Sequence, residues 1–185
     1  ERERTAAPKR ARSPSRRVRA QREGAPVSVP LHIDPVAITA HTLVCAAGVG
    51  CDALSQALFD ERSALTFSDV PNRGTWWGHV QELATLPVEW AAWDSRATRL
   101  ALRGLMADSF DAAVFAAVSR HGASRVGLAL GTSASTIAVS EAAYARGHFE
   151  APQDHEALNT LHGVTHFVQQ RLGLQGPALT VSTAC

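Results

Sequence analysis

Gly176-Pro177-Ala178-Leu179-Thr180-Val181-Ser182-Thr183-Ala184-Cys185 is the stretch from which the rest of the chain is read. Leu179 to Ser182 is a short, apolar and β-branched run of the kind that forms a buried strand. Thr183 and Ala184 are small enough to permit a sharp turn after it. Cys185 is therefore expected at a strand-to-helix corner, pushed out of the sheet. The first N–H groups of a following helix would face the sulfur and favour thiolate over thiol. A thiolate is a good nucleophile for acyl groups. The bland alternative for the same residue is a core cysteine behind a strand.

The remainder of the composition narrows the possibilities. The chain has 185 residues, 45% of them apolar, enough for one domain with a core. Its three cysteines, Cys45, Cys51 and Cys185, are odd in number and form no C-x-x-C, which argues against a disulfide framework or zinc site and fits a reducing cytoplasm. The net charge of +1 conceals an asymmetry: residues 1–30 carry +6 and residues 31–185 carry −5. Lys9 is the sole lysine, so the body offers none for Schiff-base or phosphate chemistry. No run is long and apolar enough to span a membrane. Residues 1–30, rich in Arg, Ala, Ser and Pro, lack the apolar side chains to offset ordering entropy and read as a disordered tail or linker. The functional alternative for them is a basic, anion-binding arm, though they hold no aromatic residue for stacking on bases. Because the sequence starts at Glu1 and stops at its most informative motif, it is expected to be part of something longer.

Along the body, Pro35–Ala40 reads as a first buried strand, followed by Gly48-Val49-Gly50 and a helix capped by Asp52 and running to Asp60, with Leu54, Ala57 and Leu58 on one face. His41, Cys45 and Cys51 lie here without metal-ligand spacing. All four tryptophans, Trp76, Trp77, Trp90 and Trp93, fall within residues 63–93, where they cover a core edge or line a ligand groove. Pro71–Gly74 signals a turn, and Thr75–Val80 a strand. Asp94 or Ser95 caps a long helix to Arg120, interrupted in its apolar pattern by Gly104 and Asp108 and stopped by His121-Gly122. Arg125–Leu130 is the clearest strand. It runs into Gly131-Thr132-Ser133-Ala134-Ser135-Thr136, small residues that let backbone approach a ligand, and then into a helix through Arg146. A further helix is expected from Asp154 to Leu172. It carries His162 and His166 at i,i+4, a metal-binding spacing without the adjacent Glu of a hydrolytic zinc site and with only His155 as a further candidate. Strands and helices in this alternation predict an α/β sheet with helices on its faces.

The last ten residues resemble the nucleophile motif of the β-ketoacyl synthases, the condensing enzymes of the thiolase-like superfamily: a Gly-Pro, an apolar strand, then Thr-Ala-Cys. The strand–glycine loop–helix opening, the Ser95–Leu102 helix start and the Gly131–Thr136 loop are similar to the corresponding parts of that family, although the family has glycines where this chain has Ala40, Thr42, Ser133, Ser135 and Thr136. The resemblance covers about residues 34–185. It implies a thiolase-like layered α-β-α fold, of which residues 31–185 are the N-terminal half, ending at the nucleophile strand. It assigns the nucleophile to Cys185 and acyl-substrate binding to Thr132, Ser133 and Ala134, with Ala134 bordering the acyl chain. It implies an acyltransferase that loads Cys185 from a thioester and condenses it with a malonyl thioester. Acyl carrier protein is the expected partner, for which Arg96, Arg99 and Arg103 are candidate contacts or else surface ion pairs. A homodimer or heterodimer is expected, with no cofactor, metal, nucleic acid or membrane. The two histidines and the lysine that complete the family's site belong to a second half, so residues 1–185 alone are expected to be inactive. Cys at 185, rather than the Gln common in chain-length partner subunits, points to the catalytic type. Ser182 fits fatty-acid or type II polyketide enzymes, and Ser95–Leu102 with Leu130–Ser133 is similar to aryl-polyene synthases. The alternatives are a thiolase-like acyltransferase and an inactive fragment with an anion-binding arm.

Overall fold

A computed structural model describes residues 35–70, 73–147 and 157–182. The chain divides into two units, Glu1–Ala37 and Ile38–Cys185. Of the first, only residues 35–37 are described, and they have no regular structure. The expected tail, the Asp154 cap, His155 and Cys185 lie outside the described residues.

The second unit opens differently from the expectation. Pro35–Ala40 is not a strand, and Val36 and Ile38 are exposed. A strand needs a ladder partner, and none of the described strands pairs with this run. The first paired segments are instead β1 (Val44–Cys45) and β2 (Gly48–Val49), a two-rung antiparallel hairpin. Helix α1 (Cys51–Phe59) follows with Gly50, not Asp52, at its N-cap, and of its expected apolar face Ala57 is buried while Leu58 is exposed. Strands β3 (Thr66–Val70) and β4 (Arg73–Trp77) make an antiparallel hairpin across residues 71–72. The tryptophans divide. Trp76 and Trp77 are exposed on this hairpin, with Trp76 edge-on to Phe67 at 5.6 Å. Trp90 and Trp93, on a 3-10 helix at Val88–Trp93, pack on Phe167 in the core.

The expected long helix is two helices, α2 (Arg96–Met106) and α3 (Phe110–His121), broken at Ala107–Ser109. Ser95 begins α2 with a reciprocal capping box to Thr98, satisfying N–H groups that the helix itself cannot. The break has a cause. Asp108 adopts a left-handed conformation (φ 53°) that helical continuation forbids, and its carboxylate accepts from the Cys51 N–H at 3.1 Å to each oxygen. The side chain thus serves the open N-terminus of α1 rather than its own helix. Gly122 (φ 85°) ends α3 as the sequence predicts.

Strand β5 (Leu128–Gly131) starts three residues later than expected, after a 3-10 turn at Ala123–Arg125. It pairs in parallel with β6 (Ala178–Val181), Leu128 opposite Ala178 and Gly131 opposite Val181. Gly127 and Gly176 let the two strands meet: a Cβ at Gly176 would lie 2.4 Å from the Val126 carbonyl oxygen. Between these strands run α4 (Ile137–Ala145) and α5 (Gly163–Arg171). Of the last expected helix, the described α-helical part begins at Gly163. Residues 157–162 form turns instead, because the Leu158 carbonyl accepts from the Thr136 hydroxyl and the Asn159 side chain accepts from Ser140.

The core is the inner face of β5–β6 against the helices. Leu86, Val164, Phe167, Val168, Leu172 and Leu174 are buried, with Ala97, Ala101 and Leu105 of α2, Val114 and Val118 of α3, and Leu128 and Leu130 of β5 packed around them. The strands alternate as the two-residue period requires: Leu128, Leu130, Ala178 and Thr180 face the helices, while Ala129, Leu179 and Val181 are exposed. Of the expected layered α-β-α arrangement, the described residues show one part: helices covering one face of a two-stranded parallel pair, whose other face is exposed.

Candidate active site

The parallel pairing of β5 and β6 puts their C-terminal ends side by side. The Thr132 N–H continues the ladder by donating to the Val181 carbonyl at 3.0 Å. The loop after Gly131 consequently begins beside Val181 and Ser182, at the carboxyl end of the strand pair. In open parallel α/β sheets the carboxyl ends of the strands are where ligands bind.

The loop after β5 is a built turn. The Thr132 hydroxyl accepts from the Ser135 N–H at 2.8 Å, and the Ala134 carbonyl accepts from the Ile137 N–H at 3.0 Å, which launches α4. Ser135 is held at φ 46°, a conformation glycine adopts freely and serine does not. Thr136, 2% exposed, donates to Leu158 and pins the 157–162 turn against the loop. Of the sequence-predicted binding residues, Thr132 is half-buried and structural to the turn, whereas Ser133 and Ala134 are exposed. Ala134 lines a small cavity of about 180 Å³ with Ile137, Ser140 and Leu158. A larger cavity of about 560 Å³ backs the same loop, between Arg96, Ala97 and Leu100 of α2 and Ser135, Val139 and Arg146.

Strand β6 is fixed from the helix side. The Thr180 hydroxyl lies 2.6 Å from that of Thr165 and 2.8 Å from His162 Nδ1. Neither Thr180 nor Thr136 stands out in the sequence as a functional side chain. The only signal is that a hydroxyl on the helix-facing side of a strand, or at the end of a small-residue loop, must find a partner when buried.

Electrostatics separate the described thiols and charges. Burial raises the Cys51 thiol, and the hydrogen bond to Asp108 with the charges of Asp108 and Asp52 pushes it further up. Burial works against the Asp108 carboxylate as well, but hydrogen bonds from Cys51, Thr42 and the Leu43 N–H outweigh it and hold Asp108 below the ordinary carboxylate range. Arg99 forks onto Asp94, and that hydrogen bond chiefly lowers Asp94 and raises Arg99. For Arg99 the surface-pair reading holds. Arg96 donates to the Val80 carbonyl at 2.9 Å. Among the described residues no three His, Cys, Asp or Glu side chains form a metal-binding group, and no helix is long and apolar enough to cross a membrane.

The chain is similar to a solved structure. That structure is a ketosynthase (ApeO) in complex with its chain length factor (ApeC) from Xenorhabdus doucetiae, to which the chain is 28% identical, with a TM-score of 0.62. The fold is ketosynthase-like. The likeness covers 76% of this chain and 37% of that one, so the chain spans little more than a third of its structural neighbour. No family model matches the chain, and no curated protein does.

Proposed function

We propose that the protein containing this chain is a β-ketoacyl synthase, in which Cys185 takes an acyl group from a carrier-protein thioester and the acyl-enzyme condenses with a malonyl thioester. The observation that carries the reading is the in-register β5–β6 pair. Cys185 follows Ser182 by three residues, a reach of about 10 Å at most, from the edge at which the Thr132–Ala134 loop emerges. A nucleophile on that tether stays within range of the loop. Ser133 and Ala134, small and exposed, leave space for an acyl chain.

In the first half-reaction the Cys185 thiolate attacks the thioester carbonyl, the new C–S bond forms, and the carrier thiol leaves with a proton. The Cys185 N–H supplies part of the oxyanion hole. In the second, the malonyl thioester loses CO₂ and its carbanion attacks the acyl-cysteine. The Cys185 thiolate is released, and the product is a β-ketoacyl thioester two carbons longer. The histidines and lysine that support decarboxylation would come from chain beyond residue 185. The pairing of the neighbour with a chain length factor supports a heterodimeric assembly of the same kind here, and the motif details favour an aryl-polyene or other type II pathway. Full-length protein incubated with acyl and malonyl carrier protein is expected to release CO₂ and yield the β-ketoacyl product, and Cys185→Ala to yield none. Condensation unaffected by C185A would overturn the assignment.

A further inference from the structure

His162 and His166 stand together at the N-terminal end of α5. His162 is the residue at which the helix begins, and the His166 N–H donates to its carbonyl at 2.8 Å, so the two are one helical turn apart. Both are exposed, and their rings stack at 5.8 Å with an interplanar angle of 24°. His162 is also oriented from behind: its Nδ1 is bonded to the Thr180 hydroxyl, which is bonded in turn to Thr165. Nδ1 is thereby engaged, and Nε2 is the ring nitrogen left for another partner.

We propose that His162 and His166 form a chelating site for a borderline divalent cation of the nickel, copper or zinc class. Histidines at i,i+4 on one helix face are the spacing with which helices present two imidazoles to a metal. Two imidazoles sharing a tetrahedral ion at N–metal distances of about 2.0–2.1 Å have ring centroids roughly 5 Å apart. The observed 5.8 Å is close to that separation, and rotation about the side-chain bonds, out of the stacked arrangement, would turn the two rings edge-on to one ion. Nitrogen-only donors select these cations over magnesium or calcium, which take oxygen ligands. Metal on Nε2 fixes the tautomer with hydrogen on Nδ1, so that His162 donates to Thr180 and Thr180 to Thr165. This is the second-shell hydrogen bond that metal-binding imidazoles use. Gly163 occupies the place of the glutamate base in a hydrolytic zinc helix, so the site binds without that chemistry. Water fills the remaining coordination positions.

The test is calorimetric titration of the full-length protein with NiCl₂ in a non-coordinating buffer. One saturable nickel ion per chain is expected, weakened at least 10-fold in His166→Gln, an exposed substitution that leaves the Thr180 bond intact. Thr180→Val, which removes the hydrogen bond behind His162, is expected to weaken it by about 10-fold or more. Circular dichroism checks that each variant is folded. Nickel binding equal in wild type and H166Q, or no saturable binding in the wild type, would overturn the site. Binding unchanged in a folded T180V would overturn the role given to Thr180. None of these readouts depends on condensing activity.

Discussion

Thr136→Val tests how the candidate site is held together. Thr136 is almost fully buried, and its hydroxyl is given to the Leu158 carbonyl, 22 residues further along the chain. Valine has the same shape without the hydroxyl, so the change leaves the packing in place and the Leu158 carbonyl without its donor. A buried polar group left unsatisfied costs about 1–3 kcal/mol. Thr136→Ser keeps the hydroxyl and removes one methyl, a loss of about 1 kcal/mol. Urea unfolding of the full-length variants is therefore expected to show T136V as the less stable. T136V is also expected to slow acylation, because the turn at 157–162 is no longer pinned to the loop that carries Ala134. T136V as stable as wild type, or T136S losing as much as T136V, would refute the reasoning.

Phe167→Ala removes a ring that is 0% exposed and stacks edge-on with Trp90, and it is expected to cost about 3–5 kcal/mol in the same unfolding assay. Gly176→Ala puts a methyl group 2.4 Å from the Val126 carbonyl oxygen and is expected to lower both thermal stability and acylation, since the β5–β6 pair must part to admit it. Asp108→Asn keeps the left-handed backbone tolerable while removing the charge beside Cys51, so iodoacetamide labelling of Cys51 at neutral pH, read by peptide mass spectrometry, is expected to speed up. The Asp94–Arg99 pair has a folded carboxyl pKa below its unfolded value. Its contribution is therefore fully present above about pH 4 and is lost as pH falls through the folded value. Asp94→Asn should flatten the acid limb of the stability curve by no more than about 1 kcal/mol, as suits a partly exposed pair.

What could be read from the sequence was what local pattern determines. The Ser95 cap, the Gly122 helix end, the ends of α4 at Arg146 and of α5 at Leu172 and the β6 strand all follow from residue type and spacing. The misses share a cause in long-range partners. Pro35–Ala40 has strand composition but no ladder neighbour among the described residues. The single helix expected from 95 to 120 is broken because Asp108 is recruited by α1, 57 residues away, which no helical periodicity encodes. Within the single helix expected from 154 to 172, residues 157–162 are not α-helical because Thr136 takes the Leu158 carbonyl. At the site, the small residues after β5 were legible as a loop. That the Thr132 side chain is committed to the turn, while the Ser133 and Ala134 side chains are exposed, depends on one hydrogen bond to Ser135.

The most direct test of the central claim is to trap the acyl-enzyme. Full-length protein is mixed with an acyl carrier-protein thioester and no malonyl substrate, quenched, digested and mapped by mass spectrometry. The account predicts one acyl group per active chain, on Cys185, absent in C185A, with Cys45 and Cys51 unmodified. Acyl groups on Cys45 or Cys51 instead, or a folded protein that takes up none, would contradict it.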